Sequence, residues 1–406
     1  MKVTQADPGS RVVWVHNFAT HYTVGLFERV SRRLPIDFLF FSSGGERFWL
    51  KQNGTQRGPF AHKYLKGIQI LGTRLVPSLP FWLWRGNYKA IIKCVNGKFA
   101  LPITYVVTRL TRKPFILYTG IWMRVDSIAH RLAFPLVRHI YRNSDAVIVY
   151  GEHVKRYLIG EGVLADRIFV EPHSVDNSLY NRSVTDEERK AVLKSLGVDP
   201  GRKLILYLGR LEPVKGLHHL VMALSLMADK DAVLVIAGTG SEAGRLERMV
   251  SKLGLGARVR FPGYVALAQT VQYYSVAWAY VLPSVTTSKD KESWGLVVNE
   301  AFNQGVPVVA SDAVGAAAGG LIDDGINGFI VPEGSPIALA DALDRVLSSP
   351  SLRASMSESA RHKIRDWDQE HAAAVVEKAV RFALGEASAD WLTDAGGQFT
   401  SALQMK

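Results

Sequence analysis

The chain has 406 residues, of which 48% are hydrophobic and 21% charged, so it is a folded globular protein, long enough for two domains, and not a disordered chain. Its one cysteine, Cys94, excludes an internal disulfide and favours a reducing compartment. Residues 1–180 hold 25 Lys and Arg against 11 Asp and Glu, whereas the remainder holds 24 against 26, so an anionic partner is expected on the first half.

Short apolar runs alternate with amphipathic stretches along the first half, a pattern typical of parallel strands connected by helices. Six of these runs predict strands at residues 11–18, 36–42, 88–94, 115–119, 146–150 and 168–171. Two helices are predicted at residues 20–34 and 128–141. In the second of them, Leu132, Leu136 and Ile140 recur at helical spacing and form its apolar side.

The second half repeats this alternation after a polar stretch at 172–181. Strands are predicted at residues 204–208, 232–237, 259–261, 279–282, 306–310 and 328–331. Helices are predicted at residues 217–227, 242–252, 268–276, 297–303, 337–347 and 367–384. The repetition predicts an α/β fold of two doubly wound, Rossmann-like parallel-sheet domains facing a central cleft, the usual place for a ligand.

The basic character of the first half is concentrated in residues 47–125, which contain 14 cations and no acidic residue. This favours an anionic membrane face, a diphosphate-linked acceptor or nucleic acid as partner. Residues 81–85 combine aromatics with an arginine, as interfacial segments do; the alternative is a core aromatic cluster with solvated cations. Further cations of this proposed membrane face are Arg47, Lys51, Arg57, Lys63 and Lys66.

The sequence predicts neither a secretory signal in its first ten residues nor a membrane-spanning helix. Residues 1–10 are polar and lack the apolar core of a secretory signal. No apolar run reaches the roughly 18 residues that a membrane-spanning helix requires. We therefore expect a soluble or peripheral protein.

Two cations follow the predicted strand at 204–208, where Gly209 and Arg210 come first and Lys215 stands just before a helix start. Ligands of open α/β sheets bind at the carboxyl ends of strands, and a glycine allows close approach to the backbone. Arginine offers a fork for phosphate oxygens and lysine a point charge beside it. The pair predicts a diphosphate site, although this spacing alone also fits two surface cations that cap a loop.

Two carboxylates, Glu292 and Glu300, bracket a predicted loop and helix start. Carboxylates suit vicinal sugar hydroxyls because they accept two hydrogen bonds side by side, and the amides near Gly295, Leu296 and Val297 would offer a phosphate site at a helix amino end. The alternatives are a helix-start acid for Glu292 and a solvent-facing residue for Glu300. Combined with the two cations, the carboxylates predict a nucleotide-sugar site and a glycosyltransferase.

An ordered series of motifs runs through residues 200–350 and carries a family resemblance. The series comprises Gly209-Arg210-Leu211, Lys215-Gly216, residues 236–240, Gly263, Pro283-Ser284, the glutamate pair, residues 301–311 and residues 327–331. It resembles the donor domain of the retaining GT-B glycosyltransferases of family 4, the group 1 glycosyltransferases. The first half is similar only in outline.

The resemblance implies a domain arrangement. An acceptor-binding domain would span 1–180 and a donor-binding domain 181–365. A helix at 366–384 would cross back onto the first domain, and a tail would follow at 385–406.

The resemblance also implies roles for the donor-site residues. Glu300 would bind the donor ribose, Glu292 would contact the transferred sugar, and Arg210 and Lys215 would hold the diphosphate. Glu292, Arg210 and Lys215 are thus the candidate catalytic residues. The donor-binding set is completed by Gly209, Gly238, Tyr264, Gly295, Leu296 and Val297. The implied reaction retains the anomeric configuration and needs neither a metal nor a cofactor besides the nucleotide-sugar.

The first half departs from the family at the acceptor side. Many members carry a histidine after the central strand of the first domain, whereas this chain has none between Thr119 and Trp122. His16, Asn17 and His130 are the acceptor-side candidates, with helix capping as the alternative for His130. The acid/base residue stays open, and the leaving diphosphate could itself take that role.

The resulting hypothesis is a retaining, metal-independent enzyme that moves a hexosyl unit from a UDP- or GDP-sugar onto a lipid-linked or glycan acceptor, in polysaccharide or glycolipid synthesis. It would act in the cytoplasm, at the inner face of an anionic membrane. The alternatives are a nucleotide-sugar epimerase of the same architecture and a basic nucleic-acid-binding module. Nucleic acid is the less favoured partner, because the cations lie beside a complete donor site.

Overall fold

The computed structural model describes residues 11–42, 44, 56–70 and 73–386. In the first half, the strands are β1 (Val12–His16), β2 (Ile36–Phe40), β3 (His62–Tyr64), β4 (Ile68–Ile70), β5 (Thr73–Leu75), β6 (Ala90–Cys94), β7 (Phe115–Thr119), β8 (Ala146–Val149) and β9 (Ile168–Val170). Seven of these strands form a parallel sheet in the order β3-β2-β1-β6-β7-β8-β9, while β4 and β5 pair as an antiparallel hairpin.

The helices of the first half are α1 (Val24–Arg33), α2 (Leu79–Arg85), α3 (Ala100–Leu110), α4 (Ile128–Arg142) and α5 (Glu152–Gly160). The strand order reverses between β1 and β6, so the carboxyl ends of these two strands border the crevice where doubly wound sheets bind ligands. Both faces of the sheet are covered, which explains why its central strands read as continuous apolar runs.

The second half forms a six-stranded parallel sheet in the order β12-β11-β10-β13-β14-β15. Its strands are β10 (Leu204–Leu208), β11 (Val233–Ala237), β12 (Val259–Gly263), β13 (Ala279–Leu282), β14 (Val308–Ser311) and β15 (Gly328–Val331). Its helices, with those that connect the halves, are α6 (Asn177–Tyr180), α7 (Asp186–Leu196), α8 (Leu217–Leu226), α9 (Ala243–Lys252), α10 (Leu267–Ser275), α11 (Val297–Asn303), α12 (Gly315–Ala318), α13 (Pro336–Ser348), α14 (Pro350–Lys363) and α15 (Gln369–Ala383).

The last helix, α15, packs against α1 and contacts β7, β8 and β9 of the first sheet. Its buried side comprises Ala372, Ala373, Val376, Ala379 and Val380, which belong to the same apolar core as the first sheet. The chain therefore leaves the first sheet near residue 176, builds the second sheet and returns to the first. From residue 387 onwards the predicted tail lies outside the described residues.

The predicted fold class is confirmed, since the chain forms two parallel, doubly wound sheets. Each predicted strand appears, with its ends shifted by at most about two residues. The segments without a prediction are mainly β3 to β5, α2, α3, α5 and α14. Strands β3 to β5 have three residues each, too few to show a period.

The apolar side predicted for α4 does not pack into the core along its length. Ile140 is buried, but Leu132 and Leu136 are 79% and 50% exposed, and Ile128 at the same helical spacing is 75% exposed. Periodicity identifies one side of a helix but not what covers it. The first three turns of α4 therefore present an apolar stripe to solvent.

Candidate functional site

The carboxyl edge of the second sheet is shaped by two glycines. Gly209 follows β10, and its amide donates to the carbonyl of Ala237 at 3.0 Å. Gly238 follows β11 with φ of 144°, and a Cβ on it would lie 1.8 Å from the carbonyl oxygen of Gly209. Only glycine fits there, so the two strand ends meet closely and leave backbone exposed to a ligand.

An ion pair joins two of the predicted residues at this edge. Lys215 lies in a single 3-10 turn, Pro213–Lys215, and its ammonium group donates to Oε2 of Glu292. Ser284 Oγ donates to the same oxygen at 3.1 Å. The side chains of Lys215 and Glu292 are only 12% and 15% exposed. The structure thus brings these two charges together in a nearly closed environment.

The electrostatics of this pair favour an ionised Glu292. Burial alone would raise the pKa of its carboxyl group, but Lys215, Ser284 and Arg210 together hold the pKa below its usual value. Arg210 contributes through its charge, since its guanidinium makes no hydrogen bond or ion pair to any described residue. Its backbone is fixed, because the Tyr207 hydroxyl donates to the Arg210 carbonyl at 2.6 Å. An unpaired guanidinium on a fixed backbone, beside an ion pair, is suited to a diphosphate.

Glu300 occupies a different environment from Glu292. It lies in the first turn of α11 and is 1% exposed. Its Oε2 accepts from the Tyr274 hydroxyl at 2.9 Å and its Oε1 from the Tyr22 hydroxyl at 3.1 Å. Burial raises the pKa of Glu300 to about 7, although the hydroxyls of Tyr274, Tyr22 and Tyr180 act in the opposite direction.

The remaining donor-set residues surround these carboxylates. Gly295 has φ of 95°, and a Cβ on it would lie 2.6 Å from Leu282 Cδ2. Leu296 is the N-cap of α11, and Val297 is its first residue. Tyr264 follows β12, is exposed, and is close enough to Tyr22 to raise the pKa of that hydroxyl. All of them lie on loops or helix starts at the carboxyl edge of the second sheet.

The acceptor-side candidates lie in two places, His16 and Asn17 at the end of β1 and His130 on α4. His16 ends β1 and is half-buried, and burial followed by the charge of Lys93 lowers the pKa of its ring to about 3. Asn17 is buried, and its Oδ1 accepts from the Cys94 thiol at 3.3 Å. His130 is exposed on α4, where its Nδ1 is 2.6 Å from Ser127 Oγ at the helix N-cap.

Several residues without a prediction join the two sheets around Glu292. Trp122 Nε1 donates to the Glu292 carbonyl at 3.0 Å, and His153 Nε2 is 3.0 Å from the Ser293 carbonyl. The Asp126 amide donates to the Ser288 carbonyl at 2.8 Å. These residues lie more than 100 positions before their partners, so no local pattern in the sequence connects them.

A buried polar cluster lies at the carboxyl edge of the first sheet. Glu171 follows β9, and its Oε1 accepts from the Tyr118 hydroxyl at 2.6 Å and lies 3.1 Å from His173 Nδ1. The imidazole of His173 stacks on the ring of Tyr150 at 3.8 Å. A Glu-x-His sequence at a predicted strand end was the available signal for this cluster.

Trp294, in the loop between the two glutamates, is buried. Its Nε1 donates to Asn299 Oδ1 at 2.9 Å, and its ring lies 5.9 Å from that of Trp367. This packing is that of a structural tryptophan.

Solved structures first define the class of fold. The structure is similar to Anabaena Alr3699/HepE in complex with UDP, with a TM-score of 0.71 and 19% identity over 93% of this chain and 100% of that chain. It is equally similar to sucrose-phosphate synthase from Thermosynechococcus elongatus, with a TM-score of 0.71 and 19% identity over 93% and 100% of the two chains. The chain therefore has the GT-B fold.

Sequence comparison then gives the family. Residues 188–363 match the model of the glycosyl transferases group 1. The chain is 29% identical to the alpha-D-kanosaminyltransferase of Streptomyces kanamyceticus over 66% of this chain and 70% of that protein. It is 32% identical to the D-inositol 3-phosphate glycosyltransferase of Xylanimonas cellulosilytica over 52% of this chain and 51% of that protein. The predicted resemblance is confirmed for residues 188–363, which match the group 1 glycosyltransferases.

The extent of these matches limits what they carry to the whole protein. The chain spans about half the length of most of the curated relatives that it matches. The matched region of the family model coincides with the second sheet and its helices, which hold Arg210, Lys215, Glu292 and Glu300. Similarity in sequence is thus concentrated at the proposed donor side.

Proposed function

We propose that this protein is a retaining glycosyltransferase that transfers a hexosyl unit from a UDP- or GDP-sugar to a lipid-linked or glycan acceptor. The observation that carries the proposal is the grouping of Lys215, Glu292 and the unpaired guanidinium of Arg210 at the carboxyl edge of the second sheet. Anabaena Alr3699/HepE, which has this fold, has been solved in complex with UDP and with UDP-glucose, which supports a nucleotide-sugar donor.

Each of these side chains has a role in the proposed reaction. Arg210 and Lys215 would hold the diphosphate, and their attraction would grow as negative charge develops on the leaving oxygen. These two cations can supply that charge stabilisation without a metal. Glu292, kept ionised by Lys215, would accept hydrogen bonds from hydroxyls of the transferred sugar. Glu300 would bind the ribose hydroxyls of the donor.

The bond changes in this reaction balance without a further protein base. The acceptor hydroxyl oxygen bonds to the anomeric carbon as the bond from that carbon to the diphosphate oxygen breaks. The hydroxyl proton passes to the departing diphosphate oxygen on the same face of the sugar, which retains the configuration. The protein supplies orientation and charge stabilisation, the two largest contributions available without covalent catalysis.

A panel of nucleotide-sugars tests the donor site directly. At about 100 times its dissociation constant, a bound donor should raise the free energy of unfolding by about 2.7 kcal/mol. We expect a UDP- or GDP-sugar to raise the melting temperature. No shift with any sugar nucleotide would contradict the donor site. Incubation with the stabilising donor alone then separates transfer from epimerisation, because only an epimerase would change the sugar without an acceptor.

The exposed apolar stripe of α4 supports a membrane-associated acceptor. Helix α4 is a neighbour of α3, since Tyr105 of α3 lies 3.2 Å from His139 of α4, and α2 packs on α3. The exposed aromatics on α2 are Phe81 and Trp84. Together these helices present apolar side chains among cations, as membrane-surface proteins do.

The position of α4 links this surface to the proposed active site. The residue before its N-cap, Asp126, bonds to Ser288 of the loop that leads to Glu292. A lipid-linked acceptor held at α4 would therefore meet the donor site without leaving the bilayer surface.

No helix of the described residues is long and apolar enough to cross a membrane. The cations Arg47 and Lys51 of the predicted membrane face lie outside the described residues. Peripheral binding at an inner, anionic membrane face is the corresponding proposal for location.

Replacing Leu132 by aspartate is expected to weaken binding to vesicles that contain phosphatidylglycerol by about 10- to 150-fold, because burying one leucine contributes about 1.5–3 kcal/mol. Sedimentation with such vesicles measures the effect. Leu226→Asp is the matched control, since Leu226 is also exposed but lies on α8 of the other half. Equal binding by Leu132→Asp and the wild type would exclude α4 as the lipid contact.

A further inference from the structure

The Tyr22 hydroxyl contacts Glu300 across the two halves of the molecule. Tyr22 lies in the loop between β1 and α1 of the first half, whereas Glu300 belongs to α11 of the second. Their hydrogen bond, Tyr22 Oη to Glu300 Oε1 at 3.1 Å, joins residues 278 positions apart. The other oxygen of the same carboxylate accepts from Tyr274, a residue of the second half.

The surroundings of this contact leave no approach to Glu300. An apolar cluster of Val175, Tyr180, Val184 and Val271 lies there, with Tyr22 and Leu296 packed against it. Glu300 itself is 1% exposed. Tyr22 is also held from its backbone side, because Gln369 Nε2 at the start of α15 donates to the Tyr22 carbonyl at 2.7 Å. The ring and hydroxyl of Tyr22 thus close the carboxylate off from the space between the sheets.

This closure conflicts with the role proposed for Glu300. A carboxylate that binds vicinal ribose hydroxyls must be open to them, whereas Glu300 is 1% exposed and Tyr22 bonds to one of its oxygens from the first half. Tyr274, in contrast, approaches from within the second half and would keep its bond when the two sheets separate. Of these two hydrogen bonds, only that of Tyr22 joins the two sheets; the Tyr180 hydroxyl, which also acts on Glu300, comes from α6 in the segment that connects the halves.

We propose that Tyr22 is a plug of the ribose subsite: its hydroxyl occupies the position on Glu300 that a ribose hydroxyl of the donor takes, so that nucleotide binding requires Tyr22 to leave. The inference rests on the proposed function, because it assigns the ribose to Glu300. The free protein is then divided between a plugged form and a form that can bind. The measured affinity is lowered by the fraction that is plugged.

Removal of the Tyr22 hydroxyl should therefore tighten nucleotide binding. The loss of one hydrogen bond to a charged acceptor changes the equilibrium constant between the plugged and the open form on the order of tenfold. We expect Tyr22→Phe to bind UDP or GDP about tenfold more tightly than the wild type, as measured by isothermal titration calorimetry. A residue that merely supports the fold would weaken binding or leave it unchanged when truncated.

Two control variants also remove a tyrosine hydroxyl, at positions other than Tyr22. Tyr105→Phe removes a hydroxyl that bonds to His139, away from Glu300, and should bind as the wild type does. Tyr274→Phe removes the other hydroxyl on Glu300, which the plugged and open forms share, and should not tighten binding. Equal tightening by Tyr274→Phe would show that loosening of Glu300, and not departure of Tyr22, governs affinity, and would overturn the plug.

The remaining outcomes separate the plug from the proposed function. If the wild type binds a nucleotide and Tyr22→Phe binds it equally or less tightly, the plug is wrong while the donor site stands. If only Tyr22→Phe binds, the plug is supported and the wild type is mostly closed. If neither protein binds UDP or GDP, the proposed function fails and the plug fails with it.

Discussion

Replacement of Lys215 by alanine is expected to lower kcat by about 100- to 1,000-fold, the range found when one preorganised charge-stabilising group is removed from an active site. Lys215 is bonded to Glu292 and nearly enclosed, so water cannot easily replace its charge. The loss should appear mainly in kcat, because the interaction with the diphosphate strengthens as the leaving group departs. Steady-state rates of sugar transfer from the donor identified by the nucleotide-sugar panel measure this effect.

The control for this variant is Lys203→Ala. Lys203 precedes the same strand, β10, at its opposite end and pairs with Asp229 at 2.9 Å. This control removes a partly buried lysine ion pair that is remote from the carboxyl edge. The rate of sugar transfer by Lys203→Ala should therefore stay near that of the wild type. If Lys215→Ala retained more than about one third of the wild-type kcat, Lys215 would not stabilise the departing diphosphate.

A second variant separates chemistry from stability. Lys215→Ala leaves Glu292 as a nearly buried carboxylate without its cation, which destabilises a protein more than the intact pair stabilises it. Adding Glu292→Gln removes the stranded charge. The double variant should therefore recover much of the stability that Lys215→Ala loses, while its transfer rate stays low. Recovery of both properties would indicate that Lys215 serves the fold alone.

Much of the fold could be predicted because parallel strands are buried on both faces. Residues 204–208 and 115–119 read as unbroken apolar runs, and the structure has strands at those positions. Periodicity failed where burial is partial. The stripe on α4 has the helical spacing of a core-facing side, yet Leu132 is exposed, since spacing does not reveal whether a neighbour covers a face.

The donor side of the candidate site could be predicted from the sequence because its residues follow the ends of neighbouring strands. Arg210 and Lys215 follow one strand directly, and Glu292 follows the next strand along the sheet. Strand ends at one edge of a parallel sheet converge, so such residues can be grouped without coordinates. The bond between Lys215 and Glu292 could not be predicted, because it depends on the rotamers that Ser284 and the intervening loop impose.

The resemblance implied that the last helix returns to the first domain, but the individual side-chain contacts between the halves could not be predicted. Tyr22 meets Glu300 only because α15 returns to the first sheet and Gln369 fixes the β1–α1 loop. The residues around Tyr22 and those around Glu300 show no sequence pattern that indicates a contact between the two. The acceptor side has the same difficulty, since the cluster of Glu171, His173 and Tyr118 is assembled from two strand ends.

Replacement of Glu300 by glutamine is expected to stabilise the free protein above neutral pH while abolishing efficient use of the donor. Burial raises the pKa of Glu300 from 4.5 to about 7, so the folded state holds a proton that the unfolded chain releases. The stability that this proton provides is fully present below pH 4.5 and is lost as the pH rises through 7. At pH 8.5 the buried carboxylate then lowers the free energy of unfolding by about 3 kcal/mol relative to a neutral side chain. Glutamine is neutral and can still accept from a tyrosine hydroxyl.

Urea-induced unfolding at pH 5 and pH 8.5 measures the effect. Glu292→Gln is the control, because this substitution should change the stability at pH 8.5 in the opposite direction. Burial alone would raise the pKa of Glu292, but Lys215, Ser284 and Arg210 outweigh it and hold the pKa below 4.5. Stability from Glu292 is therefore present above pH 4.5 and is lost in acid, so Glu292→Gln should be destabilised at pH 8.5. For Glu300→Gln we expect a gain of about 3 kcal/mol at pH 8.5 that shrinks below about 1 kcal/mol at pH 5. A gain that did not change with pH would mean that the carboxylate is not the source of the strain, and its enclosure by tyrosines would need another explanation.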